Sequence, residues 1–316
     1  MSTSEDADLT TLHNQLRGIK YFTAVEGKSF CEGIAPLVVE STTAAGRVAV
    51  KVSERGNIDK SEADMSTLLE TDICYCSCVV LFESSSENAG RPATNYILVQ
   101  YAATHGIRAP KVLGWYEIHS HRPTRPVGVA LVSDKVPGVP LVDVWLDLSK
   151  ETQSSITTQL RGELQRMRNC TQPYIGCIHR QPTRNVYDRL FSNYCGPFES
   201  EQEFDEWCLA RVNRGSLSRW RWNKFLERER RKSGNQEFVL THGDLSPRNI
   251  MVQDGVVTGI IDWERSGFFP RYAEYAFAMK LCHSHERWWI PVLKDLLEPC
   301  SKDRLEFTRL VEDRGW

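Results

Sequence analysis

Residues 240–264, LTHGDLSPRNIMVQDGVVTGIIDWE, constrain the fold of this chain more than any other stretch of it. Two apolar runs, Ile250 to Val252 and Val256 to Ile261, flank the tripeptide Gln253-Asp254-Gly255. An Asp-Gly pair between two apolar runs is typical of a β-hairpin, because both residues tolerate the positive φ angles of a tight turn. The sequence therefore predicts two paired strands whose outer ends lie at one edge.

Polar residues stand at both outer ends of the predicted hairpin. His242, Asp244 and Asn249 come before the first strand, and Asp262 follows the second strand directly. Since the two ends of a hairpin lie side by side, we expect two carboxylates and a carboxamide to converge there. Carboxylate and carboxamide oxygens bind hard cations, and a carboxylate can also accept a proton. The pattern predicts a site of metal binding and proton transfer.

The bulk properties of the chain indicate a folded protein without a strong overall charge. Its 316 residues are enough for two lobes, and 41% of them are hydrophobic. With 39 basic and 41 acidic residues, no global field favours a nucleic-acid or membrane partner, and we expect neither. The start, MSTSEDADLT, resembles no secretory signal, so a cytoplasmic location is expected. The sequence predicts no particular oligomeric state.

The first half of the chain has the pattern of a small β-rich region. The run Arg47 to Val52 is typical of a strand, with Lys51 flanked by valines. A lysine in such a run is normally on the solvent side of an edge strand, so Lys51 becomes a functional candidate only through its context. Further along, Glu62 lies near the start of a predicted helix, Ser61 to Leu69.

The segment Val136 to Pro140 predicts the boundary between two lobes. Two prolines and a glycine end the run of strands there, and the pattern afterwards is mainly helical. We therefore expect an N-terminal extension at residues 1–20, a first lobe at 21–136 and a second lobe at 137–316. A long amphipathic helix is predicted at 149–169.

Residues 67–94 do not fit this order. The Cys-rich run TDICYCSCVVLF is followed by the polar stretch ESSSENAGRPAT, and together they have the character of an insertion. Without them, residues 61–66 would continue into Asn95 to His105 as one helix that carries Glu62. A retained intron is therefore a second interpretation of this stretch.

Two residue clusters are interpreted as structural. Cys74, Cys76 and Cys78 alternate along a predicted strand, and no further Cys or His follows at the spacing of a zinc finger. Basic and aromatic residues interleave from Arg211 to Lys232, as in some nucleic-acid-binding segments. Two glutamates within that run favour a solvated helix face instead.

The motifs HGDLSPRN and IIDWE resemble those of the aminoglycoside phosphotransferase family of kinase-like enzymes, particularly its fungal members. Asp244 and Asn249 are five residues apart, and Asn249 and Asp262 are thirteen apart. Protein kinases space their catalytic and metal-binding residues in the same way. The resemblance implies an α+β, protein-kinase-like two-lobed fold. Its small β-rich N-terminal lobe, at 21–136, would bind the nucleotide, and its mainly helical C-terminal lobe, at 137–316, would be the catalytic and substrate lobe.

The resemblance also implies roles at the hairpin. Phosphoryl transfer needs positioning and charge neutralisation more than covalent help. Asp244 would be the catalytic residue that orients a small-molecule hydroxyl and takes its proton, while Asn249 and Asp262 would hold Mg2+. His242 would tie the catalytic loop together by hydrogen bonds rather than act as a base.

The nucleotide side is implied in the same way. Lys51 would hold the α and β phosphates of ATP, and Glu62 would orient it. The expected cofactors are ATP and Mg2+, and the expected partner is a small molecule that carries a hydroxyl group. The acceptor itself is not predicted, because one fold hosts many acceptors.

Three other interpretations stay open. No GxGxxG loop precedes Lys51, so the chain could be a kinase-fold pseudoenzyme or a binding module. A protein kinase is a weaker option, because Gly243 stands where protein kinases commonly have an arginine and no APE-like segment follows Asp262. Finally, Asp244 and Asn249 could simply cap a turn.

Overall fold

The computed structural model describes residues 37–43, 46–53, 78–84, 94–119, 126–187, 194–212, 215–233 and 237–311. The chain forms two compact units, one of residues Met1–Tyr96 and Pro110–Lys135, the other of Ile97–Ala109 and Val136–Trp316. The predicted lobe boundaries stay a prediction, and the predicted extension at 1–20 lies outside the described residues. Among the described helices, none combines the length and apolar composition that crossing a bilayer requires.

The first unit contains a five-stranded sheet. Its strands are β1 (Leu37–Thr43), β2 (Gly46–Ser53), β3 (Cys78–Ser84), β4 (Val112–His119) and β5 (Pro126–Asp134). They lie in the order β1-β2-β3-β5-β4, and the pair of β2 with β3 is parallel whereas the other pairs are antiparallel. Lys51 lies in β2, where its backbone is in register with Val38 of β1 and Leu81 of β3. It is therefore not in an edge strand.

The stretch predicted as an insertion contributes β3 to the interior of this sheet. Its backbone pairs with β2 on one side and with β5 on the other. The run Cys78–Ser84 is rich in β-branched and aromatic residues, which favour strands. Whether residues 67–94 are an insertion relative to the family stays a prediction.

The second unit is mainly helical. Its α-helices are α1 (Thr94–Thr104, which begins in the first unit), α2 (Leu141–Val144), α3 (Lys150–Asn169), α4 (Glu201–Ala210), α5 (Ser216–Ser233), α6 (Ala273–Leu281), α7 (Ile290–Leu296) and α8 (Lys302–Leu310). Short 3-10 helices lie at Trp145–Asp147, Ile178–Arg180, Pro247–Asn249, Trp263–Arg265 and Ser284–Trp289.

Short strands complete the second unit. They are β6 (Val139–Pro140), β7 (Thr171–Gln172), β8 (Thr183–Arg184), β9 (Tyr194–Cys195), β10 (Phe238–Thr241), β11 (Ile250–Gln253), β12 (Val256–Ile260) and β13 (Gly267–Phe269). β10 lies between β13 and β7, and β11 lies between β12 and β6. Along the chain, residues 242–249 connect the two central strands, β10 and β11, and contain His242, Asp244 and Asn249.

The predicted long helix is confirmed as α3. Ser149 caps its first turn by accepting a hydrogen bond from the backbone N–H of Thr152. The four apolar residues predicted to form one stripe are all buried, and they are Ile156, Leu160, Leu164 and Met167. This helix packs its apolar side under β10 and β12.

The predicted hairpin is confirmed as β11 and β12. Asp254 and Gly255 form its turn with φ angles of 51° and 75°, the left-handed values that the Asp-Gly pair suits. The side chain of Gln159 on α3 holds the turn, because its amide donates to the Gly255 carbonyl and its oxygen accepts from the Val257 N–H. The hairpin is therefore fixed to a long helix at one end, which leaves the opposite end to carry the site.

Candidate active site

The open end of the hairpin brings Asn249 and Asp262 together. Ile250 pairs with Ile260 in the β11–β12 ladder, and the Ile261 N–H donates to the Asn249 carbonyl at 2.8 Å. Asp262 is the next residue after Ile261. The backbone thus places the carboxamide and the carboxylate at the same edge, as the sequence predicts.

Asn249 is almost completely buried and its side chain is oriented. Its amide nitrogen donates to the backbone carbonyl of Asp244 at 2.9 Å. Because the nitrogen takes this contact, the Oδ1 atom is the end of the carboxamide that can face a cation. An oxygen ligand in a fixed orientation suits Mg2+, which demands near-ideal geometry.

Asp262 has an unusual backbone conformation. Its φ and ψ are 68° and 54°, in the left-handed region, and it is half-buried at the start of the 3-10 helix Trp263–Arg265. Non-glycine residues in this region are uncommon, and they concentrate at functional sites. The next side chain, Trp263, is buried and donates from Nε1 to the Ile260 carbonyl at 2.7 Å, which fixes the turn.

His242 is fully buried beneath this edge. Its Nε2 donates to the Ile261 carbonyl at 2.9 Å, and its Nδ1 accepts from the Asp244 N–H at 3.2 Å. These partners assign a neutral imidazole with the proton on Nε2. Burial lowers the pKa of His242, although the carboxylates of Asp244 and Asp262 oppose that shift. The ring therefore connects both sides of the site without being free to exchange a proton.

Glu274, in the first turn of α6, holds the backbone of the loop at residues 242–249, the candidate catalytic loop. Its two carboxylate oxygens accept from the backbone N–H groups of His242 and Gly243, at 2.6 and 3.1 Å. Burial raises the pKa of Glu274 to about 7, even though these two hydrogen bonds favour the charged form. Gly243 is required at this turn, because its φ is 84° and an added Cβ would lie 2.4 Å from the Arg265 carbonyl oxygen.

Asp244 has a partly exposed carboxylate and lies next to the buried residues His242 and Glu274. The side chain is 14% exposed, and Arg248 Nη2 lies 3.2 and 3.3 Å from its two oxygens. Arg248 Nη1 in turn lies 2.7 Å from each oxygen of Glu286, which is 1% exposed. The Asp244 carboxylate is therefore accessible to a ligand, and its position is fixed by the contact with Arg248.

The structure brings four of the six predicted site residues together in the second unit: His242, Asp244, Asn249 and Asp262. Lys51 lies in the first unit, in β2, and Glu62 lies outside the described residues. Of the described residues, no three or more His, Cys, Asp or Glu side chains form a group that could hold a metal ion.

The sequence alone assigned no role to three residues of the site, Arg248, Glu274 and Glu286. Arg248 follows Asp244 by four positions, and that spacing in a turn is a signal that could have suggested the ion pair. The support that Glu274 gives to the loop and the contact of Glu286 with Arg248 depend on contacts over 31 to 38 positions of the chain. No local sequence pattern predicts contacts over such separations.

The open end of the hairpin carries a buried histidine, two carboxylates and a carboxamide at the spacing seen in kinases. This arrangement is that of a kinase-like phosphotransferase. Comparison with known proteins agrees, because the Phosphotransferase enzyme family, APH, matches residues 32–298. The chain belongs to this family. It is an enzyme that phosphorylates hydroxyl groups of small molecules, and the predicted two-lobed, kinase-like α+β fold is confirmed.

Two curated relatives from bacteria are similar to this chain in sequence. The chain is 25% identical over 232 residues to an aminoglycoside 3'-phosphotransferase of Streptomyces fradiae, covering 68% of this chain and 76% of that protein. It is 38% identical over 64 residues to an aminoglycoside 3'-phosphotransferase of Enterococcus faecalis, covering 20% of this chain and 24% of that protein.

Solved structures with similar chains include two kinds of kinase. A thermostable mutant of aminoglycoside phosphotransferase APH(4)-Ia in its apo form has a TM-score of 0.46 at 16% identity, covering 76% of this chain and 78% of that chain. A putative fructosamine-3-kinase from Thermobifida fusca has a TM-score of 0.45 at 15% identity, covering 73% and 76%.

Proposed function

We propose that this enzyme transfers the γ-phosphoryl group of ATP to a hydroxyl of a small molecule, with Mg2+ as the cofactor and Asp244 as the catalytic residue. The observation that carries the proposal is the separate placement of Asp244 from the pair Asn249 and Asp262 at the hairpin. Asp244 has a partly exposed carboxylate with a fixed backbone, while Asn249 and Asp262 stand at the paired ends of β11 and β12.

The residues at the hairpin ends fit a magnesium ion. One carboxylate and one carboxamide oxygen are hard ligands, and Mg2+ typically takes one or two protein groups, with phosphates and waters completing its shell. Asn249 and Asp262 would hold the ion. When bound, Mg2+ neutralises the charge of the transferring phosphate. Asn249 also keeps the loop in place, because its amide nitrogen is bonded to the Asp244 carbonyl.

Asp244 would act on the acceptor. The acceptor oxygen forms a bond to the γ-phosphorus as the bond from that phosphorus to the ADP oxygen breaks, and the hydroxyl proton passes to Asp244. A carboxylate suits this role because it orients the hydroxyl first and takes the proton late. His242 supports the loop but is no proton acceptor, because both ring nitrogens already have backbone partners.

Lys51 would hold the α and β phosphates of ATP, with Glu62 as its partner. What supports this step is the family resemblance and the position of Lys51 in β2, between two neighbouring strands. The narrower likeness to fungal members, which rests on the HGDLSPRN motif, belongs to the same proposal.

A thermal-shift titration followed by an acceptor screen tests this function. A ligand that binds only the folded state raises the melting temperature, so Mg-ATP should raise it and ATP without a divalent cation should raise it less. ATP consumption is then measured against hydroxyl-bearing molecules, including aminoglycosides because of the relatives named above, with sugars and amino alcohols beside them. No shift at saturating Mg-ATP, with no ATP consumption, would contradict the proposal and favour a binding module.

A further inference from the structure

Three charged side chains form a line that ends at the proposed catalytic carboxylate. Glu286 lies in the 3-10 helix Ser284–Trp289, far along the chain from the catalytic loop. Both of its oxygens lie 2.7 Å from Arg248 Nη1, and Arg248 Nη2 lies 3.2 and 3.3 Å from the oxygens of Asp244. The arginine thus uses one nitrogen for each carboxylate.

The three side chains differ in exposure, and the one farthest from the proposed catalytic carboxylate is buried. Glu286 is 1% exposed, whereas Arg248 is 32% and Asp244 14% exposed. The buried carboxylate offsets the arginine charge and, through two short contacts to one nitrogen, limits rotation of the guanidinium group. Arg248 therefore reaches Asp244 from a fixed anchor rather than as a free surface side chain.

The same helix also contacts the loop at a second point. Trp289 is buried and its Nε1 donates to the Leu245 carbonyl at 3.3 Å. Two contacts from one short segment, one on the backbone beside Asp244 and one through Arg248, place Ser284–Trp289 directly behind the catalytic loop.

The backbone of Asp244 is fixed independently of Arg248. Its N–H donates to His242 Nδ1, and its carbonyl accepts from the Asn249 side chain and from the Ser246 N–H at 2.8 Å. Among the described residues, Arg248 is the one hydrogen-bond donor to the carboxylate itself. Only the direction of the carboxylate is left for Arg248 to set.

We propose that Arg248 is a positioning residue for the Asp244 carboxylate, and that Glu286 fixes Arg248 for this purpose. This inference rests on the proposed function, because it assumes that Asp244 orients the acceptor. Arg248 orients the carboxylate toward the acceptor hydroxyl. Glu286 holds the guanidinium group in place, so that a bound ligand does not draw it away from Asp244. A displacement of about 1 Å at a reacting group can lower a rate by about 100-fold, so orientation of this kind has a measurable effect.

A purely structural role for the Glu286–Arg248 pair would have different consequences. It would join the segment Ser284–Trp289 to the loop, and its loss would lower stability without a specific loss of turnover. The positioning role instead predicts a fall in kcat with unchanged binding of Mg-ATP. These two outcomes separate the interpretations.

The experiment measures hydrolysis of Mg-ATP with water as the acceptor, which needs no identified substrate, and repeats it with any acceptor from the screen. Arg248→Met should lower kcat by about 100-fold and Glu286→Gln by about 10-fold, while the Kd for Mg-ATP stays within about twofold. Arg287→Met, an exposed arginine beside Glu286, is the matched control and should behave as the native enzyme.

Two further measurements keep the test independent of stability. Guanidinium, added to Arg248→Ala well below denaturing concentrations, should restore part of the lost turnover, whereas tetramethylammonium should not. In an Asp244→Ala background, Arg248→Met should cause no additional loss, because residues that act as a unit are not additive.

The failures are distinguishable. Native turnover in Arg248→Met, or no rescue of Arg248→Ala by guanidinium, overturns the positioning role and leaves the role of Asp244 intact. Native turnover in Asp244→Ala, or no ATP turnover by the native enzyme under any condition, overturns the proposed function and this inference together.

Discussion

Two buried charged networks lie in the second unit, and they are built differently. The first lies at the candidate catalytic loop, where Glu274 holds the backbone and Arg248 pairs with Asp244 and Glu286. The second joins α4, α5 and α8, where Arg304 contacts Asp205 at 2.7 Å and Glu201 at 3.1 Å. Arg230 of α5 pairs with the other oxygen of Asp205.

The helical network is closed. Asp205 is 1% exposed and Arg304 4% exposed, and each oxygen of Asp205 has an arginine partner. Arg304 also lies 4.4 Å from the centre of the Tyr272 ring. The central pair of this network, Asp205 with Arg304, therefore connects helices and is shielded from ligands, whereas Arg230 and Glu201 at its edge are 17% and 12% exposed.

The catalytic loop is open at one side. His242 of the loop and Glu274 of α6 are buried and bonded to the backbone, but Asp244 of the loop and Asp262 after β12 are partly exposed. The difference teaches that burial of charge alone does not mark a functional site. What marks it is a buried support that holds carboxylates at the surface, and each prediction below tests that distinction.

The largest effect is expected from Asp244→Ala. General acid–base groups contribute about 100- to 10,000-fold to rate, so ATP turnover with any accepted hydroxyl should fall by that order. The melting temperature should change little, because the backbone contacts of residue 244 remain. Steady-state kinetics beside Asp303→Ala, an exposed aspartate of α8, measure the effect. Equal activity of the two variants would contradict the role of the open network.

Asp205→Ala should act on stability instead. It removes the Asp205 partner of both Arg230 and Arg304 and leaves the buried Arg304 with Glu201 alone, and breaking a buried pair costs about 3 to 5 kcal/mol. Urea unfolding followed by far-UV circular dichroism gives the change, and kcat of the folded fraction should remain near the native value. A specific loss of kcat at native stability would show that the closed network is not purely structural.

Gly243→Ala should affect both properties. The new Cβ would meet the Arg265 carbonyl at 2.4 Å at a φ of 84°, and such strain costs about 1 to 3 kcal/mol. Relief requires the loop to shift, which displaces Asp244. Turnover and melting temperature should therefore fall together, with Gly255→Ala at the hairpin turn, where φ is 75°, as a control that affects stability only.

A smaller, pH-dependent effect is expected from Glu274→Gln. The pKa of Glu274 is about 7 in the folded protein, above the ordinary value of 4.5, because of burial. The folded state therefore binds the proton more tightly, so the contribution of Glu274 to stability is complete below pH 4.5 and is lost as the pH rises through about 7.

The glutamine variant lacks this titration. The stability advantage of the native protein over Glu274→Gln should shrink by about 1 to 3 kcal/mol between pH 5 and pH 8. Thermal unfolding of both proteins across that range provides the check. An advantage that grows with pH would mean that Glu274 is stabilised in its charged form.

Much of the candidate site could be predicted because its information is local. The Asp-Gly turn and the apolar runs around it specify the hairpin, and the hairpin joins Asn249 to Asp262. The helix at 149–169 was equally readable from its apolar stripe. Local periodicity and turn chemistry act over a few residues, so one sequence suffices.

The remaining features depend on contacts that no local pattern encodes. The placement of Cys78–Ser84 inside the sheet follows from pairing with β2 and β5, whereas the sequence suggested a strand within an insertion and no place for it in the sheet. Similarly, Glu274 and Glu286 look like ordinary helix residues until the fold brings them under the loop. The edge-strand alternative for Lys51 does not hold for the same reason, because β2 lies between β1 and β3.

The central claim is that Asp244 serves the acceptor while Asp262 and Asn249 serve the metal. Calorimetric titration of Mg-ATP into the native protein, Asp244→Ala and Asp262→Ala tests it most directly. The account predicts native-like affinity for Asp244→Ala and an affinity at least about tenfold weaker for Asp262→Ala, the change that about 1.4 kcal/mol produces. Native affinity in Asp262→Ala together with lost affinity in Asp244→Ala would contradict it.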